Sequence, residues 1–219
     1  MPPVDTPSPP RPLILWGAAG HARVLRDAVA PAPIAAVFDR ADVAPPWPEA
    51  PLHIGRDGFL AWLSARSGPP PGFAVAIGGA KGADRLEIAQ WLQGHGLQPA
   101  TVLHAAARCE RSARIAAGAQ VLMGALVGTE ASVGAQSILN TGASVDHDCR
   151  IGNGCHIGPR AVLCGEIEVG DRAFVGAGAT VLPKLKIGAD AVVGAGAVVT
   201  EDVPAGATVA GVPARTLAP

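Results

Sequence analysis

A histidine followed at once by an aspartate, His147-Asp148 within NTGASVDHDCRIG, is the place in this chain where residue types and spacing could move a proton near neutral pH. An imidazole titrates in that range unaided, and an adjacent carboxylate can fix its tautomer and raise its basicity, so the pair is a minimal general base. Gly165 lies eighteen residues further on. A glycine brought beside the histidine would leave a backbone N–H open to a reacting carbonyl oxygen, as an oxyanion donor requires. The two come together only on a scaffold that stacks positions eighteen apart.

The chain contains such a scaffold. From Leu103 to Val203 an aliphatic residue returns every sixth position without a slip, Cys109 alone departing, and the fifth member of each hexad is small or apolar. A period of six is neither the 3.6 of an amphipathic helix nor the 2 of a sandwich strand; it is the signature of a parallel β-helix. Three hexads make one triangular coil, so seventeen hexads give five coils and two further faces, and Gly165 stacks over His147. The first members are expected to point inward, and the frequent glycines at the second member to fit tight corners. His147 is a third member and should stand outward at a corner, with Asp148 beside it. Cys109, Cys149 and Cys155 fall at inward positions and Cys164 at a second position, with no CxxC pairing, so neither a disulfide nor zinc is indicated.

The residues before the solenoid follow another pattern. Residues 1–12 carry six prolines and read as a disordered leader. From Leu13 the order is a buried strand LILW, the turn GAAGHA, a helix, a second strand IAAVFD ending at Asp39, and a Pro-rich loop over residues 42–51. A helix near residues 56–66, a strand FAVAIGG and a helix near residues 83–94 complete it. Strands alternating with helices imply a small, doubly wound parallel sheet, whose ligands bind beyond the carboxyl ends of the strands and at a helix N-terminus. That places a candidate site at Ala19, Gly20 and His21, with Asp39 and Gly78 at the ends of the second and third strands. GAAGHA lacks the GxGxxG spacing of a dinucleotide site. His156, at a sixth position, reads equally well as a structural histidine.

Composition narrows the partner. A net charge of −1, 16% charged residues and no basic run argue against nucleic acid and for a small molecule. No apolar stretch has the length of a membrane span and the N-terminus is not a signal peptide, so a cytoplasmic protein without a membrane partner is expected.

Taken together, GAAGHA, the hexapeptide array, NTGASVDHDCRIG and a terminal AGVPAR resemble the bacterial nucleotide-sugar acyltransferases, of the UDP-amino-sugar N-acetyltransferase, GDP-perosamine N-acetyltransferase and sialic acid O-acetyltransferase types, over residues 13–217. The resemblance implies an α/β Rossmann-like nucleotide-sugar-binding domain (13–102), an all-β left-handed parallel β-helix (103–203) and a CoA-contacting loop and tail (204–219). It implies a homotrimer, acetyl-CoA as co-substrate without a metal, and an N-acetylation step in surface glycan or lipopolysaccharide biosynthesis by direct transfer. His147 then corresponds to the base, Asp148 to its partner, where relatives often have Glu, and Gly165 to the oxyanion donor. Asn140, His156, Ala177 and Ala195 correspond to acetyl-CoA contacts, with Lys184 and Arg215 near its phosphate end. Ala19, Gly20, His21, Asp39, Arg40 and Gly78 correspond to the nucleotide-sugar pocket. Competing readings on the same solenoid are acylation of a sugar hydroxyl, a γ-type carbonic anhydrase with a three-histidine zinc site, and a non-catalytic trimeric scaffold.

Overall fold

The computed structural model describes residues 11–217, so the Pro-rich leader, apart from its last two residues, lies outside the described residues. The first unit is a five-stranded sheet in which all pairings are parallel. Its elements are β1 (Leu13–Trp16), α1 (Gly20–Ala28), β2 (Ile34–Asp39), β3 (Leu52–Ile54), α2 (Gly55–Ser64), β4 (Gly72–Val75), α3 (Gly82–Gly94) and β5 (Gln98–Pro99). The strand order is β3-β2-β1-β4-β5, so the direction of winding reverses between β1 and β4. The sequence reading missed β3 and β5, which are edge strands of three and two residues, too short to carry a periodic pattern.

Alternation along β1 explains how the sheet is covered. Ile14 and Trp16 pack on one side with Phe38, Phe59, Phe73 and Leu92, the layer of α2 and α3. Leu15 packs on the other with Ala22 and Leu25 of α1 and, beyond them, Leu122 and Ile138 of the solenoid. One flat face of the solenoid thus closes the second side of the sheet, a role that a further helix would fill in a free-standing α/β domain.

The solenoid consists of two-residue strands in three parallel sheets, one per flank of the triangle. Pairing is eighteen residues apart up to Val199, for example Val145↔Leu163 and Ile157↔Val175, and shortens to sixteen in the last coil, where Val203 pairs with Ile187 and Thr208 with Val192. The first members are buried from Val121 to Val199, as the hexads require. The first coil departs from that expectation: Leu103 is 53% exposed, Cys109 is exposed and Ile115 only half-buried. They line the open end of the stack, where no coil lies beneath. The corners correct a second expectation. From Gly118 to Gly196 the left-handed residue of each turn is the fourth member, glycine at Gly142 or Gly178 but Asp148, Arg160 and Glu166 elsewhere. The second-member glycines answer to stacking instead, since a Cβ on Gly128 or Gly158 would meet the backbone of the next coil at 2.8 and 2.7 Å. Residues 204–219, expected as a loop and tail, include a strand Thr208–Ala210 that continues one solenoid sheet and a final antiparallel strand Arg215–Thr216.

Candidate functional site

His147 follows the strand Ser144–Val145 at one corner of the third coil. The Asp146 carboxylate accepts the His147 N–H (2.7 Å), and Asp148 takes the left-handed turn with φ 59°. Its carboxylate thereby comes to 2.9 Å from His147 Nδ1, so the shorter aspartate does reach the ring. The carboxylate accepts, so the proton sits on Nδ1 and the Nε2 lone pair faces outward. The hydrogen bond to Asp148, reinforced by the charges of Asp146 and Glu166, holds the imidazole above its usual range. Both side chains are about half exposed, 52% and 55%.

Gly165 lies directly against this ring. A Cβ at Gly165 would overlap the imidazole, closest to Nε2, and would stand 2.6 Å from Cε1. Its N–H donates to no main-chain or side-chain acceptor among the described residues, unlike the next residue, whose N–H donates to His147 O. A basic nitrogen and an unpaired N–H therefore share one edge of the solenoid.

The other solenoid residues singled out from the sequence gather at a different corner. Asn140 Oδ1 accepts the Thr141 N–H (2.8 Å), which turns Nδ2 toward His156 Nε2 (3.0 Å). His156 in turn donates from Nδ1 to Gly79 O (3.3 Å). Burial, together with the nearby Arg85 charge, lowers its pKa to about 4. With both nitrogens committed and no charge, His156 ties the solenoid to the loop after β4. Ala177 and Ala195 sit two and three coils further along the same edge as Thr141, their N–H groups also without acceptors among the described residues. Lys184 belongs instead to the His147 edge, 3.7 Å from Glu166, and Arg215 lies exposed on the last strand, donating to Ala214 O. Lys184 thus lies on a different edge from Ala177 and Ala195, whereas Arg215 pairs with Ala210, which lies against Gly194 beside Ala195. Nor do His104, His147 and His156 converge: the described residues contain no group of three His, Cys, Asp or Glu side chains placed to hold a metal.

The front sheet carries a pocket of about 700 Å³ at the carboxyl ends of β1 and β4, lined by Trp16, Gly17, Ala19, His21, Asp39, Arg40 and Gly78 among others. Gly20 does not line it, but the N–H groups of Ala19, Gly20 and His21 at the start of α1 find no acceptor among the described residues. Asp39 braces the turn by accepting the N–H groups of Ala18 (2.8 Å) and Ala41 (3.1 Å). Sequence reasoning missed Arg56, Lys81, Asp84 and Glu87 in the lining; Lys81, just after the strand and its glycines, could have been found from the switch-point rule.

It also missed Arg85. This fully buried guanidinium donates to five carbonyls, those of Gln136, Gly154 and Cys155 on the solenoid and of Ile77 and Gly79 on the pocket loop. Burial pulls it down to about 10, so it stays charged at neutral pH. Its spacing with Ala89 and Leu92 along α3 marks a buried stripe, and nothing local announces its partners.

Two family models match the solenoid: bacterial transferase hexapeptide (six repeats) over residues 166–201 and the hexapeptide repeat of succinyl-transferase over residues 148–183. No curated protein matches the chain. Among solved structures, a histidine-to-asparagine variant of perosamine N-acetyltransferase from Caulobacter crescentus, in complex with CoA and GDP-perosamine, is 34% identical, with a TM-score of 0.86 over 94% of this chain and 97% of its own. PerB from the same organism, with the same two ligands, is 36% identical (TM-score 0.85; 94% and 97% covered). The acetyltransferase domain of PglB from Neisseria gonorrhoeae FA1090, in complex with acetyl coenzyme A, is 30% identical (TM-score 0.83; 95% and 100% covered).

Proposed function

The chain belongs to the bacterial nucleotide-sugar acyltransferases built on hexapeptide repeats, and from that premise we propose that it moves the acetyl group of acetyl-CoA onto the amine of a nucleotide-linked 4-amino-deoxy sugar. The observation that carries this reading is the His147–Asp148–Gly165 cluster. His147 Nε2 takes the proton of the attacking amine, Asp148 steadies the imidazolium that forms, and the Gly165 N–H receives the negative charge on the thioester oxygen. Transfer is direct, because Cys149, the nearest thiol in sequence, is buried and donates to Cys164 O (3.1 Å).

The front unit supplies the sugar nucleotide. In the Rossmann-like arrangement proposed for it, the free N–H groups at the start of α1 receive the diphosphate, where the helix dipole favours an anion, and Asp39 and Arg40 flank the nucleoside. The solenoid is taken as left-handed, as in the family.

A homotrimer resolves the separation of the two corners. The flank between them carries Leu126, Ser144, Val162, Thr180 and Val198 outward, with Leu126 and Val162 exposed and Arg108 of the first coil the one charged outward residue among its strands. A second flank holds the ion-pair ladder Arg150–Glu168–Lys186 and the third is covered by the front sheet. Ring closure through this flank, uncharged beyond Arg108, would set the His147 edge of one chain against the Asn140, Ala177 and Ala195 edge of the next, enclosing acetyl-CoA between them.

The test is turnover of acetyl-CoA with GDP- and UDP-linked 4-amino sugars, read as free thiol and as the mass of the product. Thiol release matched by amide formation is the expected outcome. Ester formation on a hydroxyl, or no sugar-dependent thiol release, would overturn it.

A further inference from the structure

The solenoid reaches into the sugar-nucleotide pocket at a point the mechanism above does not use. Gln120 stands at a sixth position on the flank covered by the front sheet and is wholly buried. Its Nε2 lies 2.8 Å from Val75 O at the end of β4. A carbonyl oxygen can only accept, so the amide nitrogen faces Val75 and the amide oxygen faces the other way. That oxygen lies 2.7 Å from His21 Nε2. It too can only accept, and His21 Nε2 must therefore carry the proton. The orientation of one amide, fixed by a backbone carbonyl, dictates the tautomer of a histidine ninety-nine positions away.

The other ring nitrogen has a different character. His21 lines the pocket, and its Nδ1 has no partner among the described residues. Nor is it sealed in: the only buried side-chain N or O atoms left without a partner among those residues are Arg66 Nε and Gln136 Oε1. Burial and the Arg85 charge both disfavour a second cation here, in keeping with a neutral ring whose pKa is lowered.

We propose that Gln120 is a specificity-determining positioning residue, holding His21 with a bare Nδ1 that accepts a hydrogen bond from a hydroxyl or amino hydrogen of the nucleotide-linked sugar. The assignment rests on the nucleotide-sugar reading. It divides the labour at the start of α1. The main-chain N–H groups of Ala19, Gly20 and His21 suit the anionic part of the ligand, whereas the imidazole repels phosphate oxygen and selects a donor. An imidazolium at the same place would do the opposite.

The experiment is nitrogen NMR of the full chain with labelled histidine imidazoles, His21 being assigned by the signals that vanish in His21→Gln. In the free protein, Nε2 is expected to show a protonated, pyrrole-like signal and Nδ1 a bare, pyridine-like one through neutral pH. Saturation with GDP-perosamine, or with a UDP-linked 4-amino sugar if that is the better substrate, should move the Nδ1 signal and leave Nε2 in place. In Gln120→Leu the tautomers should mix, and KM for the sugar nucleotide should rise about tenfold, the worth of one neutral hydrogen bond, with KM for acetyl-CoA unmoved. Should that variant fail to fold, the wild-type spectra still decide. A proton on Nδ1 in the free protein overturns the relay. A sugar nucleotide that is acetylated without moving the Nδ1 signal overturns the specificity role while the functional reading stands. If no sugar nucleotide binds or reacts, the functional reading and the ligand half of the proposal fall together, and the free-protein spectra still report on Gln120.

Discussion

Gly165→Ala isolates the geometry of the proposed catalytic edge, because it keeps the main-chain N–H and adds a single carbon. That carbon would stand 2.6 Å from His147 Cε1 and 3.0 Å from Cδ2. Carbon atoms at rest are about 3.5–4.0 Å apart, so the ring must withdraw by about 1 Å or swing away from Asp148. The ring can do so cheaply, since His147 is half exposed and Gly165 does not have a positive φ. Stability should therefore change by no more than about 0.5 kcal/mol. A misplacement of about 1 Å at a reacting centre costs on the order of a hundredfold in rate, or about 2.7 kcal/mol of barrier. The assay is thiol release from acetyl-CoA with both substrates saturating, alongside thermal unfolding. The same substitution in a His147→Ala background should cost almost nothing further, because the clash is with a ring no longer present. Near wild-type turnover of Gly165→Ala, or full additivity with His147→Ala, would refute the assignment of ring and N–H to one site.

His147→Ala should lower turnover by about two to four orders of magnitude. Asp148→Asn should lower it less and move the rise of rate with pH downward, because the bond that holds the imidazole above its usual range is weakened; an unmoved profile would separate Asp148 from the base. Val162→Arg places a charge in the uncharged middle of that flank and should give a monomer by light scattering that still binds the sugar nucleotide but is inactive. A stable, active trimer would place the interface elsewhere. Unfolded His156 takes up a proton below its ordinary value of 6.5, whereas the folded residue resists until about 4. The unfolded chain thus binds more protons in that window, and stability should fall by about 3 kcal/mol as pH drops through it, His21 acting in the same direction. Urea midpoints against pH should show this slope, and His156→Gln should flatten it.

The sequence by itself determined the solenoid, its register and the His147–Gly165 stack, because a β-helix converts a period of six into spatial neighbours by arithmetic: position and face follow from counting. It also placed the strand-turn-helix units and the pocket at Ala19, His21, Asp39 and Gly78, where a local rule about strand ends suffices. Only the tertiary structure decided what lies between the two units. Arg85 meets Gly154 and Cys155 across 69 and 70 positions, and His156 meets Gly79 across 77. Such partners are acceptors on another unit's backbone, and backbone carbonyls leave no trace in residue identity. For the same reason His156 and Gln120 look alike in the sequence, two polar residues at outward hexad positions. The way the sheet lies on the solenoid makes one a committed tie and the other the setter of a histidine's tautomer. The exposure of Leu103 and Cys109 likewise depends on what stacks against the first coil, a boundary condition that a repeat cannot encode.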